Sequence, residues 1–262
     1  YNKNMSQIIH ILCIFAIVNT MNMEKKKVAV ITGDLVNSRQ ISIEKREEIY
    51  AYMEWSYSCF VIQRGCFTDF KLEFFRGDSF QLLVENPEMA LRVALFLRAR
   101  LRAAYGKKNL QEEPWLSKYT QKSGNKKLWD ARMSIGIGDM EYRSKSVITS
   151  DGEAFVLSGH ELDKMKSNER LSIKMQGVDE CSLMQSQFNT LLRMSDALVQ
   201  GWTEAQSQLA AECLLFPNKT QQALEKEYGI PQTTISRRKS GGHIDEILSL
   251  CDYFEKLIPT LL

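Results

Sequence analysis

The chain has 262 residues, of which 44% are apolar and 25% are charged, a composition that is typical of a folded globular protein and excludes a disordered or collagen-like chain. Its formal net charge is only +2, from 34 Lys and Arg against 32 Asp and Glu, so a nucleic-acid or membrane partner has to be sought in a local patch. Six cysteines without a CxxC pair and three isolated histidines indicate reduced thiols in the cytoplasm and argue against a zinc site.

The N-terminal segment contains an apolar run at residues 8–18. This run is too short to span a bilayer, and its length is similar to that of the apolar part of a signal peptide. Met21 and Met23 follow it and precede a charged stretch and a strand pattern. We interpret residues 1–23 as a non-native or poorly ordered segment ahead of a cytoplasmic protein that has no membrane partner. An export signal or a membrane anchor is the alternative.

Residues 24–180 predict a domain in which strands and helices alternate. The predicted strands are 28–32, a hairpin of 67–75 and 79–84, and three further segments at 132–138, 145–149 and 171–175. The predicted helices are 44–61, 87–105 and 152–167, and a long polar loop is predicted for 106–130. This order predicts an α+β fold with a ferredoxin-like, antiparallel or mixed sheet and helices packed on one of its faces.

From residue 181 to residue 262 only helical periodicity remains, which predicts a second, all-α domain. Its predicted helices are 183–200, 202–215, 219–227, 231–239 and 243–258. The last helix carries an apolar stripe at helical spacing, formed by Ile244, Ile247, Leu248, Cys251, Phe254, Leu257 and Ile258. We expect this stripe to pack inside the domain, and a homodimer interface is the alternative.

Two Gly-Asp pairs stand at strand ends of the first domain, at residues 33–34 and 77–78. Because the hairpin is expected beside the first strand, Asp34 and Asp78 are predicted to meet at one edge of the sheet. One or two carboxylates together with substrate phosphates are the usual ligands of Mg²⁺ in proteins. The pairs therefore predict a metal or phosphate site, and the alternative is ordinary turn chemistry, in which Gly-Asp is common.

Four blocks of this domain resemble the SatD family of bacterial proteins. The blocks are ITGDLVNSR (31–39), FRGDSFQLLVE (75–85), RMSIGIGDM (132–140) and SDGEAFVLSGHELDKM (150–165). More distantly, the same blocks are similar to the catalytic domain of class III nucleotide cyclases, in which two Asp residues hold two metal ions. The resemblance implies that Asp34 and Asp78 are the metal ligands, with Mg²⁺ as the cofactor and a nucleotide or another phosphorylated small molecule as the ligand.

The resemblance also implies a phosphate-binding set, because in the cyclases the backbone after the first Asp lies near the triphosphate. The set consists of Gly33, Asn37, Ser38 and Gly77. Arg39 and Arg76 are added because they flank the two Asp motifs and are placed to meet phosphate oxygens; the alternative for them is a solvated or structural ion pair. The helix at 152–165 departs from the cyclases, which carry there an Asn and an Arg that stabilises the transferring phosphate. Its residues at these places are Val156, Leu157, Ser158 and His160. We therefore predict metal and nucleotide binding but assign no catalytic residue.

A second block, TQQALEKEYGIPQTTISRRKS (220–240), resembles a helix-turn-helix. Thr220 is suited to cap the first helix, Gly229 to form the turn, and Pro231 to begin the second helix. The second helix is predicted to meet DNA base edges through Gln232, Thr233, Thr234 and Ser236 and phosphates through Arg237, Arg238 and Lys239.

Two features of the tail depart from a DNA-binding domain. Glu225 stands where helix-turn-helix motifs usually have a small Ala. In addition, residues 181–262 carry seven Lys and Arg against nine Asp and Glu, whereas the DNA-contacting face of such a domain is normally basic. A helical bundle that does not bind DNA is therefore the alternative for the tail.

Together, these patterns predict a cytoplasmic DNA-binding transcriptional regulator with a cyclase-like domain that senses a nucleotide or a metal. The alternative is a Mg²⁺-dependent nucleotide-processing enzyme that catalyses phosphoryl or nucleotidyl transfer and whose helical tail serves assembly.

Overall fold

The computed structural model describes residues 26–66, 68–105, 107, 110 and 128–262. The apolar run at 8–18 and most of the predicted loop at 106–130 lie outside these residues. Within the described part, the chain forms a five-stranded mixed sheet and eight α-helices. The predicted α+β class is therefore confirmed.

The elements of the α+β part are β1 (Lys27–Leu35), α1 (Ile43–Arg64), β2 (Glu73–Phe75), β3 (Ser79–Val84), α2 (Ala90–Ala103), β4 (Ala131–Asp139), α3 (Glu153–Lys164) and β5 (Leu171–Met175). The helices of the tail are α4 (Leu183–Gln200), α5 (Glu204–Leu215), α6 (Gln221–Tyr228), α7 (Gln232–Gly241) and α8 (Ile244–Leu261).

The strands are ordered β2-β3-β1-β4-β5 across the sheet. β1 pairs antiparallel with both of its neighbours, which places Asp34 opposite Ser79 of β3 and opposite Arg132 of β4. β4 and β5 are parallel, and α3 connects them, since parallel neighbours need a crossover. The end of β1 thus lies between the hairpin and the start of β4.

Helices cover both faces of the sheet, so the prediction of helices on one face is wrong. Ile31 of β1 belongs to the main core, which also contains α1 and α2. Val30 packs instead with Phe155 of α3, because neighbouring side chains of a strand point to opposite faces. A glycine of β4 makes room for α3: a Cβ at Gly136 would lie 2.2 Å from the Ala154 carbonyl oxygen.

α2 is the central helix of the molecule. All of its residues are buried, including four arginines. The sheet lies against one side of α2 and α5 against another, and the main apolar core runs without interruption from β1 to α8. The tail is therefore packed on the α+β part, and buried charges are enclosed between the two.

Two local predictions in the α+β part are wrong. Residues 68–72 have no strand structure, so β2 begins only at Glu73. The segment 145–149 forms a turn rather than a strand, and its Val147 is buried in the smaller core beside α3. The five helices predicted for residues 181–262 are present, and the α8 stripe packs in the chain's own core.

None of the helices in the described part of the chain combines the length and apolarity that a membrane crossing requires.

Candidate functional site

An open cleft of about 520 Å³ lies where β1 ends. It is lined by residues 34–40, by Asp78 of the hairpin, by Arg132 of β4, and by Ser167 and Arg170 of the loop before β5. The structure therefore brings together both predicted carboxylates and three of the predicted phosphate-binding residues, namely Asn37, Ser38 and Arg39.

Asp34 is held by an arginine that the sequence analysis does not predict. Arg132 donates from Nε to Asp34 Oδ1 at 3.0 Å and from Nη2 to Oδ2 at 2.5 Å. This two-pronged arrangement is the strong geometry for a guanidinium and a carboxylate, and the hydrogen bond to Asp34 raises the pKa of Arg132. Both carboxylate oxygens of Asp34 thus accept from the same side chain.

Asp78 is held on the neighbouring side of the cleft. The Ser38 hydroxyl donates to Asp78 Oδ2, and the Leu35 N–H donates to the Asp78 carbonyl oxygen at 3.2 Å. Asn37 lies in the left-handed region with φ of 57°, so the chain bends sharply just after β1. This bend places the buried Ser38 side chain against the hairpin.

The cleft contains the oxygen ligands that Mg²⁺ prefers, namely two carboxylates, the Ser38 hydroxyl and the Asn37 amide. A cation at Asp34, however, would have to displace Arg132 from both carboxylate oxygens. Within the described residues, no group of three or more His, Cys, Asp or Glu side chains is arranged to hold a metal ion. In this arrangement the Asp34 carboxylate is bonded to a guanidinium and not to a cation site shared with Asp78.

Three arginines and two aspartates line the cleft. Arg39 is exposed and forms no ion pair with a described residue. Arg170 is positioned by its own loop, because Nη1 donates to the carbonyl oxygens of Ser167 at 2.7 Å and Glu169 at 2.9 Å. The balance of charge in the cleft therefore favours an anionic ligand.

The other three residues of the predicted phosphate-binding set lie outside the cleft lining. Arg76 and Gly77 form the exposed turn between β2 and β3, and both have positive φ. Gly33 is buried in β1, where a Cβ would lie 2.5 Å from the Phe80 ring and 2.6 Å from the Arg132 carbonyl oxygen. The geometry of the turn explains the presence of Arg76 and Gly77, and close packing explains why residue 33 is a glycine.

The block at 220–240 forms two helices with a three-residue connection. The Thr220 side chain caps α6, and Gly229 has a left-handed φ of 63°, as the sequence predicts. Pro231 is the N-cap of α7 rather than its first residue. Leu224 of α6, Ile230 of the connection and Ile235 of α7 are buried in the main apolar core, to which α5 also contributes.

α7 presents most of the residues that are predicted to contact DNA. Four are exposed, namely Gln232, Thr233, Ser236 and Arg237, and two are half-buried, namely Thr234 and Arg238. Lys239 is engaged elsewhere, since its Nζ lies 2.6 Å from Asp245 Oδ1 of α8. Burial and then the charge of Arg237 lower the pKa of Arg238. Arg237 is therefore the cation of this group that is exposed and has no ion pair with a described residue.

Glu225 lies beside the start of α7. Its Oε1 accepts a hydrogen bond from the Gln232 N–H at 3.3 Å, and its side chain is exposed, so it does not separate the two helices. The carboxylate stabilises the positive end of the α7 dipole. The same charge repels a phosphate that approaches this end of the helix.

No protein-family model, curated protein or solved structure matches the chain. The functional assignment therefore depends on the geometry of the cleft and of the α6–α7 unit.

Proposed function

We propose that this chain is a DNA-binding regulator in which α6 and α7 act as a helix-turn-helix and the cleft at the end of β1 binds a phosphorylated anion. The observation that carries the proposal is the exposed start of α7, where Gln232, Thr233 and Ser236 face solvent above a buried contact with α5 and α6. A recognition helix presents its N-terminal residues to base edges in the major groove. Gln pairs with adenine, and Thr contacts the thymine methyl group.

The affinity for DNA phosphates is expected to be modest. Arg237 supplies an exposed cation, whereas Lys239 pairs with Asp245 and Glu225 adds a negative charge near the same helix. A second copy of the chain on a neighbouring half-site would compensate for this weakness. We therefore keep a homodimer on paired half-sites as a prediction.

The α+β part supports the sensor role in this proposal. The neighbouring strands β2-β3-β1-β4 and the chain order β-α-β-β-α-β favour a ferredoxin-like core, to which α3 and β5 are added. We retain the cyclase-like assignment and the SatD resemblance as parts of the proposal. The cleft arginines favour a phosphate-bearing ligand, and a nucleotide is the ligand that the resemblance implies.

A Mg²⁺-dependent nucleotide enzyme is the second candidate, since Asp34 and Asp78 line one cleft. Pyrophosphate binding by wild type and Asp34→Asn, measured by calorimetry with and without Mg²⁺, separates the two roles of Asp34. If Asp34 mainly neutralises Arg132, the variant frees the guanidinium and binds pyrophosphate more tightly without metal. If Asp34 holds Mg²⁺, the variant instead loses the Mg²⁺-dependent part of binding.

The DNA role is tested with the full-length chain and a labelled pool of duplexes, by fluorescence anisotropy at several salt concentrations. Arg237→Ala is expected to weaken binding and to reduce the slope of log K against log salt by about 1. Arg193→Ala is the matched control, because Arg193 is an exposed cation of α4 outside the α6–α7 unit, and it is expected to change neither quantity. Absence of binding by wild type, or equal effects of the two variants, contradicts the proposal.

A further inference from the structure

A buried cluster of four charged side chains lies between the cleft and the tail. Arg98 and Arg102 of α2 meet Asp130, which precedes β4, and Asp196 of α4, and none of the four is more than 6% exposed. Arg98 bonds Asp130 at 2.9 and 3.0 Å and lies 2.9 Å from Asp196 Oδ1. Arg102 Nη1 bonds Asp130 Oδ2 at 2.9 Å. We call these four residues the buried ion cluster.

Both walls of the cleft are hydrogen-bonded to this cluster. The Val36 N–H donates to the Asp130 carbonyl oxygen at 2.8 Å, and the Arg170 N–H donates to Asp196 Oδ2 at 2.8 Å. Val36 and Arg170 themselves line the cleft, on the β1 side and the β5 side respectively. A movement of either wall is therefore transmitted through one hydrogen bond to a residue of the buried ion cluster.

The opposite side of the cluster holds the turn between α4 and α5. Arg102 Nη2 donates to the carbonyl oxygens of Gln200 at 2.8 Å and Trp202 at 2.9 Å. The indole Nε1 of the buried Trp202 donates to the Gly242 carbonyl oxygen at 2.6 Å. Gly242 is the C-cap of α7, so the base of the candidate recognition helix is bonded to a turn that the cluster fixes.

Buried charges stay paired, because a group that loses its partner is left as an uncompensated charge in a poorly polarisable interior. Displacement of one member of the cluster must therefore be followed by the others. We propose that the buried ion cluster couples occupancy of the cleft to the position of α7 through Arg102 and Trp202. Its use in regulating DNA binding rests on the proposed function, whereas the coupling itself is measured without DNA or ligand.

The first test perturbs the tail end and observes the cleft end. Trp202→Phe removes the donor to Gly242, and amide hydrogen exchange by NMR reports on the N–H groups of Val36 and Arg170. After correction for global stability from urea unfolding, their exchange is expected to rise roughly two- to thirtyfold, the range of coupling measured between distant sites. Tyr57→Phe is the matched control, because it removes a buried donor to the Leu83 carbonyl oxygen at 2.6 Å outside the cluster.

The second test runs in the opposite direction and uses a milder variant. Asp196→Asn is expected to shift the indole N–H resonance of Trp202, which lies at the far side of the cluster. Asp252→Asn, which alters the Arg92 ion pair at 2.6 Å elsewhere on α2, is expected to leave that resonance in place.

An unmoved indole resonance, or equal corrected exchange in Trp202→Phe and Tyr57→Phe, overturns the coupling. Failure of DNA binding is a separate result, because these two readouts require no DNA. A chain that shows the coupling but binds no duplex would refute the proposed function alone.

Discussion

Replacing Asp130 by Asn tests how strongly the buried ion cluster stabilises the fold. The Asp130 carboxylate accepts three hydrogen bonds from Arg98 and Arg102 at 2.9 to 3.0 Å and one from the Ala131 N–H at 2.9 Å. Asn has nearly the same shape, but it has no charge and turns an NH₂ group toward guanidinium donors. The two buried cations then keep one amide oxygen, Asp196 and backbone carbonyls as acceptors, but the negative charge of Asp130 is lost.

Loss of one partner from a buried ion pair costs about 3–5 kcal/mol, and Asp130→Asn is expected to lower the free energy of unfolding by this amount. The total stability of a domain is about 5–15 kcal/mol, so the urea midpoint, followed by tryptophan fluorescence, should fall by a large fraction. Glu180→Gln makes the same chemical change in an exposed ion pair with Lys164 and is expected to leave the midpoint nearly unchanged. Equal midpoints for the two variants would show that the buried ion cluster does not stabilise the fold.

Three further predictions concern acid stability, packing and charge. Burial raises the pKa of Asp130, but Arg98 and the neighbouring hydrogen bonds outweigh burial and lower this pKa below its usual value. In urea titrations, the stability difference between wild type and Asp130→Asn should therefore be constant down to about pH 5 and shrink below about pH 4. Gly136→Ala places a Cβ 2.2 Å from the α3 backbone and should cost about 1–3 kcal/mol in the same assay, whereas Gly159→Ala, which has open space, should be neutral or stabilising. Glu225→Gln keeps an acceptor at the start of α7 but removes the charge, so anisotropy should show tighter DNA binding at low salt and a smaller gain at high salt.

The helices and strands could be predicted because their signals are local. Thr220 accepts a hydrogen bond from the Ala223 N–H at 3.1 Å, which is the cap that the sequence pattern indicates. The meeting of Asp34 and Asp78 also followed from strand order, because a hairpin beside β1 brings its turn to the end of that strand.

The partners of the buried and cleft charges could not be predicted, because they are distant along the chain. Arg132 is 98 residues from Asp34, and only the register of β1 with β4 places them opposite each other. Arg98 and Arg102 meet an acid 32 and 28 residues away, across the segment that the sequence identifies only as a polar loop.

The position of α3 left one signal in the sequence. Gly136 and Gly138 alternate in β4 and therefore share one face of the sheet, and a Cβ on either would lie within 3.1 Å of the α3 backbone. Alternating glycines in a buried strand indicate the close approach of another element. The pattern was visible, but the identity of that element depended on the fold.

The proposed function requires that the start of α7 reads the sequence of duplex DNA. The most direct measurement is selection from a random duplex library with the full-length chain, followed by affinities of wild type and Gln232→Ala for the enriched and a scrambled duplex. We expect an enriched duplex that wild type prefers and a loss of about 1–3 kcal/mol of that preference in Gln232→Ala, with binding to the scrambled duplex unchanged. A library without enrichment, or an equal preference in both proteins, would contradict sequence recognition by α7.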